Sequence, residues 1–281
     1  MSANPLEHVA DSPSIEIFPT AGWVIHLPNI AGFQITKFMV LELVAGAIML
    51  GIFIPLAKRY RNGEATKGLF DNAFESLLTF IRENVAKPYI GHEDHHTHIH
   101  EADKYVPFLW TVFLFVLICN LLGMLPWLGS PTADLSVTVA LAVCSFCAIF
   151  FVPMFVHGPT KFFKSFLPHA DMHGPILIVG FPILLLVAVI EIFGIFIKAF
   201  VLAVRLFANM FAGHTVLAVL LMFIEMSSHA DSVFVFGGVT IVSVLGVVAL
   251  SLLELFVAFL QAFVFTFLTA LFLGSTLHPE H

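Results

Sequence analysis

The fold class is decided by residues 175–225, which read PILIVGFPILLLVAVIEIFGIFIKAFVLAVRLFANMFAGHTVLAVLLMFIE. About 18 apolar residues in succession are enough to indicate a membrane-spanning helix, and this run is far longer. Its ionisable side chains are Glu191, Lys198, Arg205, His214 and Glu225. Arginine keeps its proton in proteins, so Arg205 cannot become neutral when it is buried. Its charge costs at least about 2.5–3.5 kcal/mol at the middle of a bilayer, which makes Arg205 a candidate functional residue.

The composition of the whole chain is that of an integral membrane protein. Of its 281 residues, 59% are hydrophobic and 11% are charged, and the mean hydropathy is +0.99. Soluble globular domains have about 45–50% apolar and about 25% charged residues. The net charge is -7 and the chain has no basic patch, so we expect no nucleic-acid partner. No basic segment followed by an apolar stretch opens the chain, which argues against a cleaved signal peptide.

Five apolar stretches are long enough to cross a hydrocarbon core of about 30 Å as helices. They cover about residues 38–57, 105–125, 135–156, 176–223 and 233–273. The last two would each exceed about 60 Å if unbroken, because a helix rises about 1.5 Å per residue. We therefore expect these two helices to tilt strongly, bend or split. The short linker EMSSHADS between them favours an antiparallel hairpin.

A sixth helix is predicted at the membrane surface. In LFDNAFESLLTFIRENV, residues 69–85, apolar side chains recur at spacings of three and four while charged side chains occupy other faces. This pattern predicts an amphipathic helix that lies in the membrane interface. The predicted fold class is therefore an all-α polytopic membrane protein with about five membrane helices and one interfacial helix, the last two membrane helices being long, tilted and paired as a hairpin.

The positive charges predict the orientation of the chain. Of the 12 Lys and Arg residues, nine fall in two loops on one side of the five spans and one, Lys37, falls on the other. The nine are Lys58, Arg59, Arg61, Lys67, Arg82, Lys87, Lys104, Lys161 and Lys164. The two loops are therefore predicted to be cytoplasmic, which puts the N-terminus outside and the C-terminus inside.

These features divide the chain into five predicted parts. The parts are an irregular external tail (1–36), the first span with the interfacial helix and a His-rich cytoplasmic linker (37–104), a hairpin of the second and third spans (105–157), a cytoplasmic loop (158–175) and the long helical hairpin (176–281). Within the linker, His92 with His96, and His96 with His100, have the spacing of a metal site on a helix. We favour an exposed linker there and predict no resident metal or cofactor.

The long hairpin brings its ionisable residues together in a pattern that predicts proton movement. If it folds about residue 229, Arg205 and Glu254 reach nearly the same depth, because they lie 24 residues before and 25 residues after that point. His214 is about 13–14 Å from Arg205 along the helix axis, toward the outside, whereas Glu191 is displaced toward the cytoplasm. Glu and His exchange protons, and Arg does not. Titratable groups toward both faces, with a permanent cation between them, suit two offset half-channels.

Four segments resemble subunit a of the F-type ATP synthases. They are NLLGMLP (120–126), PTADLSVT (131–138), VRLFANMFAGH (204–214) and ELFVAFLQAFVF (254–265). The resemblance covers most of the chain from about residue 120 onward and agrees with five spans. It implies a stator subunit beside a rotating ring of c subunits, with Arg205 as the essential charge barrier that faces each c-subunit carboxylate. The residues that it assigns to lining or supporting the proton path are Glu191, Asn209, His214, Glu254 and Gln261.

The resemblance also implies the partners of the chain, namely the c-subunit ring, the b-subunit peripheral stalk, other ATP synthase subunits and the lipid bilayer. The chain lacks the phosphate-binding pattern G-x-x-x-x-G-K-[ST], so nucleotide chemistry would reside in other subunits and this one would have no catalytic site of its own. Three acidic residues near the outer ends of the spans are either solvated or part of a proton entrance: Asp134, Glu225 and Asp231.

Two alternatives remain open at the level of the sequence. Many bacterial members carry Glu at the position of His214 and His at that of Glu254, and the exchange seen here is typical of mitochondrial members. A bacterial plasma (inner) membrane is the predicted location, and the mitochondrial inner membrane is the alternative. The alternative function is an ion-coupled secondary transporter, which predicts internal repeats and transport by the chain alone.

Overall fold

The computed structural model describes residues 11–12, 14–16, 24–30, 33–61, 68–91, 100–125, 129–160, 176–228 and 233–277. Within these residues, five helices are long and apolar enough to cross a membrane. The predicted class, an all-α polytopic membrane protein, is confirmed.

The helices are α1 (Lys37–Arg61), α2 (Leu69–Ile81), α3 (Val106–Gly123), α4 (Leu135–His157), α5 (Ile176–Ser228) and α6 (Val233–Leu277). A π-helical turn, Arg82–Ala86, continues α2, and short 3-10 turns precede α3 (Glu101–Lys104) and α4 (Pro131–Ala133). Of the alternatives for the two long helices, splitting is wrong, because α5 and α6 are each one continuous helix. The segment between α5 and α6 is also shorter than the predicted linker, since α5 continues to Ser228.

The N-terminal tail contains two short hairpins. Strand β1 (Ser14–Glu16) pairs antiparallel with β2 (Val24–His26), and β3 (Asn29–Ile30) pairs antiparallel with β4 (Phe33–Gln34). The prediction of an irregular tail is wrong for these residues, because strands of two or three residues carry too few alternations to give a periodic signal.

The residues just before β1 hold the start of α1. The Asp11 carboxylate accepts a hydrogen bond from the backbone N–H of Phe38 at 3.2 Å, and the Ser12 carbonyl accepts one from Lys37 N–H at 2.9 Å. These bonds satisfy two N–H groups that the helix itself leaves unpaired.

Contacts group the chain into two units. Unit 1 comprises Met1–Lys67, Val112–Thr138 and Arg205–Phe263, and unit 2 comprises Gly68–Thr111, Val139–Val204 and Val264–His281. In unit 1, the buried side chains of α1 recur on one face: Phe38, Leu41, Ala45 and Met49. Ala45 packs on Cys119 and Leu122 of α3. The small side chain of Ala45 allows the two helices to approach closely, as is common in membrane proteins.

In unit 2, the residues that follow the π-helical turn contact the C-terminal part of α6. The Tyr89 ring packs edge-on against Phe267 at 5.0 Å between centroids. Gly274 lies directly against the Tyr89 carbonyl, where a Cβ atom has no room. The Thr276 hydroxyl donates to the Ile149 carbonyl at 3.2 Å, which ties α6 to α4.

Candidate functional site

Arg205 stands on an exposed face of α5. Among the residues that the structure describes, its guanidinium makes no hydrogen bond or ion pair. Ala208 and Ala212 lie three and seven residues further on, and both are also exposed. Because successive residues turn by about 100° around a helix, these small side chains share the face of Arg205. On the side of Arg205 toward Ala212, this face therefore carries little side-chain bulk.

The opposite side of α5 faces the interior of unit 1. Leu206 and Met210 are 0% and 1% exposed, and Met210 packs with Ala258 of α6. His214 is nine residues from Arg205, so the two side chains leave α5 in directions about 180° apart. Arg205 and His214 thus belong to different surfaces of the same helix.

His214 meets Glu254 of α6 in this interior. The imidazole Nδ1 lies 3.5 Å from the carboxylate Oε1, and Glu254 is 5% exposed. Among the described residues, neither His214 Nε2 nor Glu254 Oε1 has a hydrogen-bond partner. A buried polar atom left unpaired costs about 1–3 kcal/mol, so such atoms are usually retained for a reason. The pair offers one group that can release a proton next to one that can accept it.

The absence of a side chain at Gly213 leaves room for the Glu254 carboxylate. A Cβ atom on residue 213 would lie 2.8 Å from Glu254 Oε1 and 3.3 Å from its carboxyl carbon. The hydrogen side chain of glycine therefore lets the carboxylate rest against α5 beside His214.

A second polar contact lies further along the same two helices. Asn209 Nδ2 donates to Gln261 Oε1 at 2.9 Å, and Gln261 is 1% exposed. Gln261 is seven residues from Glu254, which places both on one face of α6 about 10 Å apart along the axis. Asn209 is one turn from Arg205, so this amide pair lies nearer to the arginine than the His214–Glu254 pair does.

The predicted match in depth between Arg205 and Glu254 is wrong. Contacts between α5 and α6 join Leu220 to Gly246, His214 to Glu254 and Asn209 to Gln261, with midpoints at residues 233–235 rather than 229. Because Glu254 lies at the level of His214, it is about 13–14 Å from Arg205 along α5.

The two arms of the hairpin differ in length, which explains this error. Leu220 lies eight residues before the end of α5 at Ser228. Its partner Gly246 lies thirteen residues after the start of α6 at Val233. A simple reflection assumes arms of equal length. The stagger shifts α6 along α5 by about ten residues, or about 15 Å, from the predicted register.

A buried chain of hydrogen bonds connects α6 to the turn between α3 and α4. Asn120 Nδ2 of α3 donates to the Ala258 carbonyl at 3.2 Å, and Asn120 Oδ1 accepts from the Thr132 hydroxyl at 2.7 Å. The Ser130 and Thr132 hydroxyls are 2.7 Å apart. All three side chains are at most 1% exposed. Ala258 lies between Glu254 and Gln261 in sequence, so this chain reaches α6 in the middle of its polar face.

No role for Asn120, Thr132 or Gly213 was predicted from the sequence, although each lies in a segment that carries the family resemblance. The signal for Asn120 was present, because a polar side chain inside a membrane helix is a functional candidate by default. Gly213 has no such signal, since its importance depends on a residue 41 positions away in the sequence.

The other predicted residues are distributed as follows. Asp134 precedes α4, and its carboxylate accepts hydrogen bonds from the backbone N–H and the hydroxyl of Ser136, both at 2.8 Å. This contact caps the helix. Glu225 is exposed near the end of α5. Glu191 lies in α5, but its side chain is outside the described part of the structure, as is the whole of Asp231. His92 and His96 also lie outside the described residues.

Lys198, the other cation of α5, has a partner within the chain. Its ammonium group lies 4.8 Å from the centre of the Phe272 ring. Such a contact stabilises a cation by about 0.5–2 kcal/mol, depending on how far it is desolvated. The structure thus assigns Lys198 to packing, and Arg205 differs from it in having no such contact among the described residues.

Comparisons with known proteins agree on one family. A family model described as "ATP synthase A chain" matches residues 39–274. An "ATP synthase subunit a 2" of Prosthecochloris aestuarii is 38% identical over 98% of this chain and 80% of its own length. An "ATP synthase subunit a" of Chloroherpeton thalassium is 37% identical over 98% of this chain and 77% of its own. One of Myxococcus xanthus is 37% identical over 88% of this chain and 74% of its own.

Proposed function

The chain belongs to the ATP synthase A chain family, whose members are membrane proteins of ATP synthesis and proton transport, and we propose that Arg205 separates two proton half-channels in it. In this proposal the chain is the stator subunit of the membrane sector. It gives protons access to the carboxylates of a rotating c-subunit ring. The nucleotide chemistry belongs to other subunits.

The observation that carries the proposal is the exposure of Arg205 on an apolar helix without a partner among the described residues. A permanent cation at membrane depth is very costly unless a partner of opposite charge approaches it. The small residues Ala208 and Ala212 on the same face allow another helix to come close. A c-subunit carboxylate on a neighbouring helix has the charge and the reach that this face requires.

Arg205 acts as a barrier because it cannot take part in proton transfer. Its guanidinium keeps all of its protons, and it favours the ionised form of any carboxylate near it. A ring carboxylate must therefore give up its proton on one side before it passes Arg205. It takes up a new proton on the other side, so that a proton crosses the membrane only when the ring moves.

His214 and Glu254 belong to one of the two half-channels. The 3.5 Å between imidazole and carboxylate allows a proton to pass from one to the other with small movements of either side chain. The Asn209–Gln261 pair lies between this relay and Arg205 along α5 and supplies hydrogen bonds without titrating. Glu191 is proposed for the other half-channel, and Asp134, Glu225 and Asp231 for the entrance to the first.

The chain is a bacterial membrane protein, as its bacterial relatives and its apolar helices indicate. We place it in the plasma (inner) membrane, with the N-terminus outside and the C-terminus in the cytoplasm. His214 and Glu254 then lie toward the outside, and Glu191 toward the cytoplasm. The c-subunit ring and the b-subunit peripheral stalk are its proposed partners.

The proposal is tested by replacing Arg205 with Ala in membranes that contain the complete ATP synthase. We expect ATP-driven proton pumping to be lost, because the ring carboxylate would no longer be held ionised at the barrier. Pumping is measured with a pH-sensitive dye inside membrane vesicles.

Lys198→Ala is the matched control. It removes a cation from the same helix, seven residues earlier, but one that rests on Phe272. We expect pumping to persist in Lys198→Ala vesicles. Normal pumping by Arg205→Ala would refute the assignment of Arg205.

A further inference from the structure

We propose that the α3–α4 turn is a positioning device for the proton relay, in which Asn120, braced by Thr132, fixes α6 so that Glu254 stays opposite His214. This inference rests on the proposed function and adds residues that touch neither the proton nor the ring. Its physical basis is the hydrogen bond from Asn120 to the Ala258 carbonyl.

The hydrogen bond from Asn120 restrains the position of α6. In an α-helix, a backbone carbonyl accepts the N–H four residues further on, and its second lone pair stays available. Asn120 donates to that oxygen of Ala258 at 3.2 Å. Because hydrogen bonds depend on both distance and direction, a bond to a backbone atom restrains the axial position and the rotation of the whole helix at that level.

The bond acts between the two polar side chains of α6 that meet α5. Ala258 is four residues after Glu254 and three before Gln261. Both of these side chains meet α5, through His214 and Asn209. A rotation or slide of α6 at Ala258 would therefore move both contacts together, and the bond from α3 resists that motion at the point between them.

Asn120 is itself held by the turn between α3 and α4. Its Oδ1 accepts from the Thr132 hydroxyl, which lies 2.7 Å from that of Ser130. With its oxygen occupied by Thr132, the amide of Asn120 can present only its nitrogen to Ala258. The turn thus fixes which end of the amide faces α6.

The turn between α3 and α4 packs against both α5 and α6. Ala133 of the turn, Met210 of α5 and Ala258 of α6 form one buried cluster. Gly123, at the end of α3, lies so close to Ser130 that a Cβ atom on it would be 2.9 Å from the Ser130 Cα atom. Glycine at 123 therefore allows the turn to fold back far enough for Thr132 to reach Asn120.

The test uses the complete ATP synthase in membrane vesicles and two variants. N120L/T132V replaces both buried partners by apolar side chains of similar size, which retains the fold better than removing one partner alone. We expect the subunit to be present at the normal level and ATP-driven pumping per complex to fall by about tenfold or more, because small misplacements of reacting groups are that costly.

Asn120→Asp is the more specific variant. The carboxyl group still accepts from Thr132, but it donates to the Ala258 carbonyl only while it is protonated. We expect its pumping, relative to wild type, to recover as the pH is lowered. N120L/T132V has no such group, and its pumping relative to wild type should not recover in the same way.

The matched control is S145A/T269V, which removes another buried contact of α6, with 3.5 Å between the two hydroxyls, in unit 2. We expect it to leave pumping per complex unchanged. The proposal is overturned if N120L/T132V pumps normally per complex, or if Asn120→Asp pumps less than wild type and shows no recovery at low pH. Neither outcome bears on Arg205, whose own test stands separately.

Discussion

Glycine at position 213 decides how closely the Glu254 carboxylate approaches α5. In Gly213→Ala, the new Cβ atom would meet Glu254 Oε1 at 2.8 Å, so the flexible carboxylate must move. We expect the helix to form normally and proton pumping to fall by about tenfold, since the carboxylate would leave its position beside His214. Pumping per assembled complex measures this.

Gly194→Ala is the control for that prediction. It lies in the same helix, but nothing stands within 4 Å of a Cβ atom there. Alanine favours a helix by about 0.5–1 kcal/mol over glycine, so this variant should be as stable as wild type or more so, with normal pumping. Equal losses in both variants would mean that helix geometry, and not the carboxylate, is responsible.

The relay between His214 and Glu254 can be tested by exchanging its members. Each single exchange, His214→Glu or Glu254→His, creates a pair of like groups, and we expect pumping to fall by about 100-fold or more. The double exchange restores one imidazole and one carboxylate at 3.5 Å and should lose less than either single exchange. A double variant as inactive as the singles would show that the residues do not act as a pair.

At this scale the sequence indicates which residues are candidates for function, but it does not indicate what they contact. Arg205 and Glu254 are visible as ionisable groups in apolar runs, because a charge in a membrane is costly wherever it lies. Their contacts depend on the stagger of two helices, and a hairpin reflection cannot supply it. The contact between His214 and Glu254 came from the structure.

Among the elements, the segment between α2 and α3 is closed by an ion pair. Arg82 Nε and Nη2 donate to the two carboxylate oxygens of Asp103 at 2.6 and 2.7 Å. This hydrogen bonding, followed by the charge of Arg82, lowers the pKa of Asp103 below its usual 3.8. The stabilisation is therefore fully present above about pH 4 and is lost as the pH falls through the lowered pKa.

Asp103→Asn removes this stabilisation at neutral pH. In vesicles that expose the predicted cytoplasmic face, we expect protease to cut the variant near residues 100–104 faster than it cuts the wild type. Wild-type cleavage should be insensitive to ionisation of Asp103 from pH 5 to 8. Glu83→Gln is the control, because Glu83 contacts Lys87 at 2.7 Å and Arg82 at 3.6 Å, both within the same helical stretch, and these contacts do not span the segment. Unchanged cleavage in Asp103→Asn would show that the pair does not close the segment.

The ends of the elements were predictable where an apolar run is long, and less predictable where the patterned segment is short. The spans α1, α3 and α4 begin and end within a few residues of the apolar runs, since a membrane core requires about 20 of them. The strands Ser14–Glu16 and Val24–His26 were missed because three residues give no usable pattern. The π-helical turn Arg82–Ala86 was missed as well, since its amphipathic pattern continues that of α2.

For the whole molecule, the exposure of Arg205, which has no partner among the described residues, favours a function that depends on a second protein. An ion-coupled secondary transporter would instead move ions as an isolated protein. The five-part division of the chain and its orientation in the membrane remain predictions, because they depend on charge counts in loops rather than on contacts.

The central claim, that Arg205 is a fixed barrier between two proton paths, is tested most directly by proton flux through complexes whose ring cannot turn. A covalent cross-link between the c ring and the stator immobilises it, and a proton gradient is then applied across the vesicle membrane. We predict no flux in the wild type and in Lys198→Ala, and a measurable flux in Arg205→Ala, because protons could pass between the half-channels without rotation. A locked Arg205→Ala complex as tight to protons as the locked wild type would contradict the claim.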